Sequence, residues 1–168
     1  MKFKPSYTSS IAEDIMAERL IRAQAVEFLA DAPMRLKSGL ISPVYVDNRK
    51  LFSHPEAWRD IVETMASRVE EYDLEFDIVA GVEAAGSMHA AALAYRLGLP
   101  AIMVRQKAKT YGNHSRIEGG DVKGMRVLLL EDHISTGLSC LDAIRALRGE
   151  GAQVTQVMSI TNYAIPET

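Results

Sequence analysis

At 168 residues, with 48% hydrophobic and 24% charged side chains, the chain has the composition of one globular domain with a sizeable core. A formal net charge of −3 argues against a bulk nucleic-acid binder, whose footprint would be basic, and no apolar run is long enough to span a bilayer. The one cysteine, Cys140, excludes an internal disulfide, and the start Met-Lys-Phe-Lys-Pro lacks a signal peptide's apolar stretch, so the expected location is the cytoplasm.

Residues 1–9 read as a loose arm. From Ser10, a plausible N-cap, the apolar positions Ile11, Ile15, Met16, Leu20, Ile21, Val26, Phe28 and Leu29 recur at helical spacing, which predicts one helix ending near Ala30. Residues 34–49 predict two short strands around a Ser-Gly turn, with Pro43 suited to an edge. Pro55 sits where a helix favours its first-turn proline, and Trp58, Ile61, Val62, Met65 and Val69 carry the apolar face of a helix to about Glu70. A strand over 76–81 opens into a turn with Gly81 and Gly86, then into an alanine-rich helix ending at Leu97. Gly98 and Pro100 break that helix before a strand over 101–104. Residues 105–124 are polar and glycine-rich, and so long a loop inside a compact domain is usually functional or disordered.

The most informative stretch follows. Val127, Leu128, Leu129 and Leu130 predict a buried parallel strand. It runs into Glu131 and Asp132, where the chain is expected to leave the sheet. Adjacent residues on a continuing strand face opposite ways, so the two carboxylates are expected to converge only if the strand ends there. A hydroxyl-rich turn, Ser135, Thr136, Gly137, Leu138 and Ser139, then precedes a helix with Leu141, Ile144, Ala146 and Leu147 on its apolar face. Gly149 and Gly151 supply stops, and a last strand runs from Val154 to about Ile160. Strands alternating with helices imply an α/β fold, a parallel sheet flanked by helices.

Backbone N–H groups at the helix start can receive a phosphate, and carboxylates can accept hydrogen bonds from sugar hydroxyls, so the 131–139 segment predicts a sugar-phosphate site. The Gly81–Gly86 turn would allow an anion to approach closely, although it matches neither the nucleoside-triphosphate loop nor the dinucleotide fingerprint. Arg105, Lys107, Lys109 and Arg116, with no acid before Glu118, form a local excess of positive charge. This reads either as a solvated loop or as a lid over a polyanion, and the neighbouring anion site favours the lid. Lys37 reads equally as an edge-strand guard or as a contact to an acidic small molecule. His54, His89, His114 and His133 lack metal-ligand spacing, and Cys140 is expected to pack in the core.

Residues 130–139 resemble the signature by which type I phosphoribosyltransferases bind phosphoribosyl pyrophosphate. Residues 35–49, 79–86, 105–112 and 117–119 are similar to segments of the orotate phosphoribosyltransferases. The resemblance implies a type I phosphoribosyltransferase-like single domain over 1–168, with an N-terminal helix and small hood segment over about 10–50 and an α/β core over about 55–163. It implies transfer of the phosphoribosyl group to orotate, giving orotidine 5′-monophosphate and pyrophosphate in pyrimidine biosynthesis. The donor is implied to contact Glu83, Ala84, Ala85, Arg105, Lys109, Tyr111, Glu131, Asp132, His133, Ile134, Ser135, Thr136, Gly137, Leu138 and Ser139. Arg105, Lys109, Glu131 and Asp132 carry the catalytic roles, and Lys37 and Ser135 would contact orotate. Mg²⁺ would ride on the substrate without direct protein ligands, and a homodimer would let the 105–120 loop reach the partner's site. No nucleic acid or membrane partner is implied.

The sequence departs from the family pattern at Tyr111 (usually histidine), at Gln106 (a second lysine in some members) and at Leu138 (usually glycine). It stops at Thr168, where typical members continue. These departures leave two rivals: transfer to another base, or a weakly active paralogue that senses the donor.

Overall fold

The computed structural model describes residues 10–36, 39, 41–108 and 115–163. The 1–9 arm therefore lies outside the described residues. The first helix, α1 (Ile11–Arg22), starts in a reciprocal capping box. The Glu13 N–H donates to Ser10 Oγ at 3.3 Å, and the Ser10 N–H donates to a Glu13 carboxylate oxygen at 2.7 Å. The helix does not continue to Ala30. It closes at Ala23, Gln24 takes φ 53, and the chain leaves as β1 (Val26–Phe28). Val26 and Phe28 fit a two-residue period as well as a helical one, and antiparallel pairing with β4 (Val44–Val46) decides between them. Between these lies the predicted hairpin, β2 (Met34–Arg35) with β3 (Ile41–Ser42), and Gly39 takes φ 88 in its turn. Both small sheets form the hood. A 3₁₀ helix, Asn48–Ser53, follows, and the sequence pattern does not announce it.

In the core, α2 (Pro55–Glu71) begins at its proline and buries Ala57, Ile61, Val62, Met65 and Ala66. Then come β5 (Ile78–Val82), α3 (Ala85–Leu97), β6 (Ala101–Val104), β7 (Ile117–Glu118), β8 (Arg126–Ile134), α4 (Leu138–Gly149) and β9 (Gln153–Asn162). Gly98 terminates α3 in the left-handed conformation. The sheet order is β7-β6-β5-β8-β9, parallel throughout except for β7, which pairs antiparallel with β6.

Successive strand residues feed opposite faces. Val79, Leu128 and Leu130 pack with α2 and α3, whereas Ile78, Ala80, Val82, Val127 and Leu129 pack with α4. All of β5 is buried, as a parallel strand covered on both sides requires. From β5 the chain crosses through α3 to one side of the sheet, and β8 lies on the other. The C-terminal ends of β5 and β8 therefore flank a topological switch point, where open α/β sheets place their ligands. The segments flanking the hood are fastened to this core through Leu20, Ala23, Ala25 and Leu51, which join the α2–α3 cluster.

Candidate active site

A cavity of about 520 Å³ opens at that switch point, within the range of small-molecule sites. Glu131, Asp132 and His133 of β8 line it, together with Ser135 of the next turn and Ser139 of α4, and with Glu83, Ala84 and Ala85 after β5. The hood closes it with Met34, Arg35, Leu36, Tyr45, Val46, Asp47 and Arg49. Two other cavities, between α1 and α2 (about 430 Å³) and over α2 and α3 (about 570 Å³), involve none of these residues.

The acidic pair reaches the cavity by a route that the sequence reading missed. The strand does not end at Glu131. It continues to Ile134 because β9 keeps pairing with it, Ile134 opposite Asn162, whereas β5 pairs only as far as Leu130. Both acids therefore sit on extended backbone beyond the end of β5, and the cavity wraps that exposed part of β8. Glu131 is buried, and its carboxylate accepts from the Asp132 N–H at 3.2 Å. Burial, then a hydrogen bond and the negative charge of Asp132, push the Glu131 carboxyl well above the usual carboxylate range. At neutral pH the Glu131 carboxyl therefore keeps its proton.

After Ile134 the chain turns through Gly137, at φ 73, into α4. No side chain caps this helix, so the first N–H groups of Leu138, Ser139 and Cys140 have no intrahelical acceptor and present a positive dipole end. Leu138 is 69% exposed and is absent from the cavity lining, so the departure from glycine does not fill the turn. Cys140, by contrast, is buried, and its thiol is pushed up to about 12 by burial and by the two acids, which makes it an unreactive packing group.

The other strand-to-helix turn differs from expectation. Gly81 and Gly86 do not cradle an open space. A Cβ on Gly81 would lie 2.4 Å from Ser87 Cα, and one on Gly86 would lie 2.8 Å from the Leu130 carbonyl oxygen. These glycines let α3 press onto β5 and β8, and Glu83, Ala84 and Ala85 between them face the cavity.

The basic loop is also less free than its composition suggests. Arg105 pairs with Glu118 at 3.0 Å, and Arg116 pairs with Asp142 at 2.6 Å, so acids later in the sequence offset both guanidiniums. Gln106, not Arg105, lines the cavity, held by its N–H to the Glu83 carboxylate (3.1 Å) and by its amide to the Glu83 carbonyl (3.2 Å). Lys37, Lys109 and Tyr111 lie outside the described residues.

The sequence reading did not single out Arg35, Tyr45, Asp47, Arg49 or Tyr163, all of which line the cavity. The first four fall within residues 35–49, the hood segment that is similar to the orotate phosphoribosyltransferases. Tyr163 follows the last strand, and only the parallel register of β9 brings it here.

Comparison with known proteins adds a family. A model described as the phosphoribosyl transferase domain matches residues 47–167. The orotate phosphoribosyltransferase of Coxiella burnetii is 46% identical over 152 residues, covering 90% of this chain and 73% of that protein. Its counterpart in Bacillus subtilis is 38% identical over 159 residues, covering 95% and 74%. Among solved structures, orotate phosphoribosyltransferase from Aeropyrum pernix matches with a TM-score of 0.73 at 28% identity, covering 88% of this chain and 93% of that one.

Proposed function

This chain belongs to the phosphoribosyltransferase family and within it to the orotate phosphoribosyltransferases, and from that premise we propose how its cavity works. It transfers the 5-phosphoribosyl group from phosphoribosyl pyrophosphate to orotate, forming orotidine 5′-monophosphate and pyrophosphate in pyrimidine nucleotide synthesis. The observation that carries the assignment to this cavity is the acidic pair Glu131–Asp132 at the switch point, followed five residues later by an uncapped helix N-terminus.

The 5-phosphate rests on the first N–H groups of α4 and on Ser135 and Ser139. Asp132, with Glu131 behind it, accepts hydrogen bonds from the ribose hydroxyls. The diphosphate lies against the turn of Glu83, Ala84 and Ala85, and orotate lies under the hood near Leu36, Tyr45 and Tyr163, with Lys37 and Ser135 as its polar contacts. In the reaction the bond from the anomeric carbon to the diphosphate oxygen breaks, and its electron pair leaves with pyrophosphate. The new bond forms to a ring nitrogen of orotate, whose proton passes to water or to the departing pyrophosphate. Positive charge grows on the ribose next to Asp132, which stabilises it electrostatically. Arg105 and Lys109 belong to a lid that closes over the leaving group and excludes water.

The oxygen-only pair of Glu131 and Asp132 suits Mg²⁺, a hard cation that takes few protein ligands and keeps water and phosphate oxygens. As the resemblance implies, the ion would arrive on the donor's oxygens. When bound, it would neutralise charge on the departing diphosphate. The resemblance further supports a homodimer in which the 105–120 loop reaches the partner's site. No helix among the described residues is long and apolar enough to cross a membrane, and the single cysteine suits the cytoplasm.

The ultraviolet absorbance of orotate, followed with the donor and Mg²⁺, tests this reading. Loss of the orotate signal is expected. Donor binding without any such loss would point instead to the sensor.

A further inference from the structure

Beneath the cavity one polar side chain is completely buried and connects three parts of the chain. Asn48, at the start of the 3₁₀ helix, is 0% exposed. Its amide nitrogen donates to the Asp132 carbonyl at 2.6 Å and to Thr161 Oγ1 at 2.8 Å, residues 84 and 113 positions away in sequence. The amide orientation is not ambiguous. A carbonyl can only accept, so the NH₂ end must face Asp132.

The hood side of this contact is itself held. The Asp47 N–H donates to the Ala25 carbonyl at 2.8 Å, and the Asp47 carboxylate accepts from the Arg49 backbone N–H at 3.2 Å. On the core side Thr161 Oγ1 continues to His133 Nδ1 at 2.8 Å. The His133 ring meets the edge of Tyr163, with centroids 4.5 Å apart, and the Tyr163 hydroxyl donates back to the Val44 carbonyl of β4 at 2.9 Å. The hood is therefore braced to the tips of β8 and β9 at two points, and the first of them lands on the peptide of Asp132.

We propose that Asn48 is a positioning residue: it fixes the Asp132 peptide, and with it the direction of the carboxylate toward the ribose hydroxyls. The proposal rests on the reading above that Asp132 holds the ribose. Beyond Leu130 the strand has lost its β5 neighbour, so a side-chain donor from the hood replaces part of the missing restraint. A displacement of about 1 Å in such a group can cost 10²-fold in rate, so a brace at this point has catalytic consequence. The 5-phosphate subsite on α4 has no contact with Asn48, and this separates positioning from general damage.

The test compares two small probes, ribose 5-phosphate and inorganic phosphate, on the wild type and on Asn48→Ala and Thr161→Val, alongside kcat and KM for the donor. Asn48→Ala is expected to weaken ribose 5-phosphate by roughly tenfold, the scale of one ordinary hydrogen bond, with inorganic phosphate affinity unchanged and kcat reduced. Thr161→Val keeps the Asn48 bond to the Asp132 carbonyl but removes the weaker one that the Thr161 hydroxyl makes to it at 3.4 Å. It shifts the same quantities in the same direction by roughly two- to threefold. It carries the test if the first variant fails to fold. Equal losses for both probes, or no loss for either, would overturn the proposal. A wild type that binds ribose 5-phosphate but consumes no orotate would overturn the transferase reading and leave the Asn48 comparison decisive. A wild type that binds no ribose 5-phosphate would overturn both.

Discussion

The two strand-to-helix turns of this sheet look alike in sequence and differ in physical purpose. Each pairs a buried strand with a small-residue turn containing glycine. After β8, Gly137 has open space around its absent side chain and is needed for φ 73, which leaves the α4 amides exposed to an anion. After β5, Gly81 and Gly86 are needed because backbone lies within 3 Å of where a Cβ would be. One glycine therefore shapes a binding site, whereas the other two hold a helix against a sheet. A glycine-rich turn at a strand end is ambiguous until the neighbouring backbone is known.

The contrast can be broken by substitution. Asp132→Asn, at the mouth of the first turn, removes the charge facing the ribose and should lower kcat by about 10²–10³, comparable to the about 2.7–4 kcal/mol lost with one transition-state contact. Its melting temperature should stay near that of the wild type. A large fall in melting temperature with normal kcat would assign this turn a structural role as well.

The second turn has its own titrating group. His89, on α3, accepts a hydrogen bond from the Trp58 indole N–H at Nδ1 (3.0 Å) and is fully buried. Burial pushes its pKa down from 6.5 to about 4, so the native state keeps it neutral where the unfolded chain would protonate it. Between those values the unfolded state binds more protons, and stability rises with pH. The contribution is complete above about 6.5 and is lost as pH falls toward 4, about 3 kcal/mol in all. His133, lowered by its own burial, acts with the same sign. Glu131, raised by burial, acts with the opposite sign over an overlapping range. The His89 loss should therefore be read as the difference in pH dependence of denaturant unfolding between the wild type and His89→Gln, and identical profiles would contradict it.

Gly81→Ala should destabilise the fold by roughly 1–3 kcal/mol, because backbone and not a flexible side chain occupies the space. The molecules that do fold should still turn over normally. Gly137→Ala meets no neighbour and should cost only the left-handed conformation, roughly 1–2 kcal/mol, with weaker donor binding as the turn relaxes. Melting curves and donor KM on the two variants should separate in opposite ways.

Much of the core could be read directly from the chain. Pro55, Gly98 and Gly151 punctuate it, and four apolar residues before Glu131 name a buried strand without help. What escaped depends on distant partners. Val26 and Phe28 satisfy two periodicities, and only β4 chooses between them. The extension of β8 through the acidic pair depends on β9, some thirty residues later. Asn48 looks like an ordinary loop residue until Asp132 and Thr161 are placed around it. The acids that offset Arg105 and Arg116 likewise come from outside the basic run.

The central claim is that the turn after β8 receives a ribose phosphate. A crystal grown with ribose 5-phosphate tests it most directly. The phosphate is expected against the N–H groups of residues 138–140, with the ribose hydroxyls at Asp132. Ribose phosphate bound elsewhere, with that turn occupied only by water, would contradict the account.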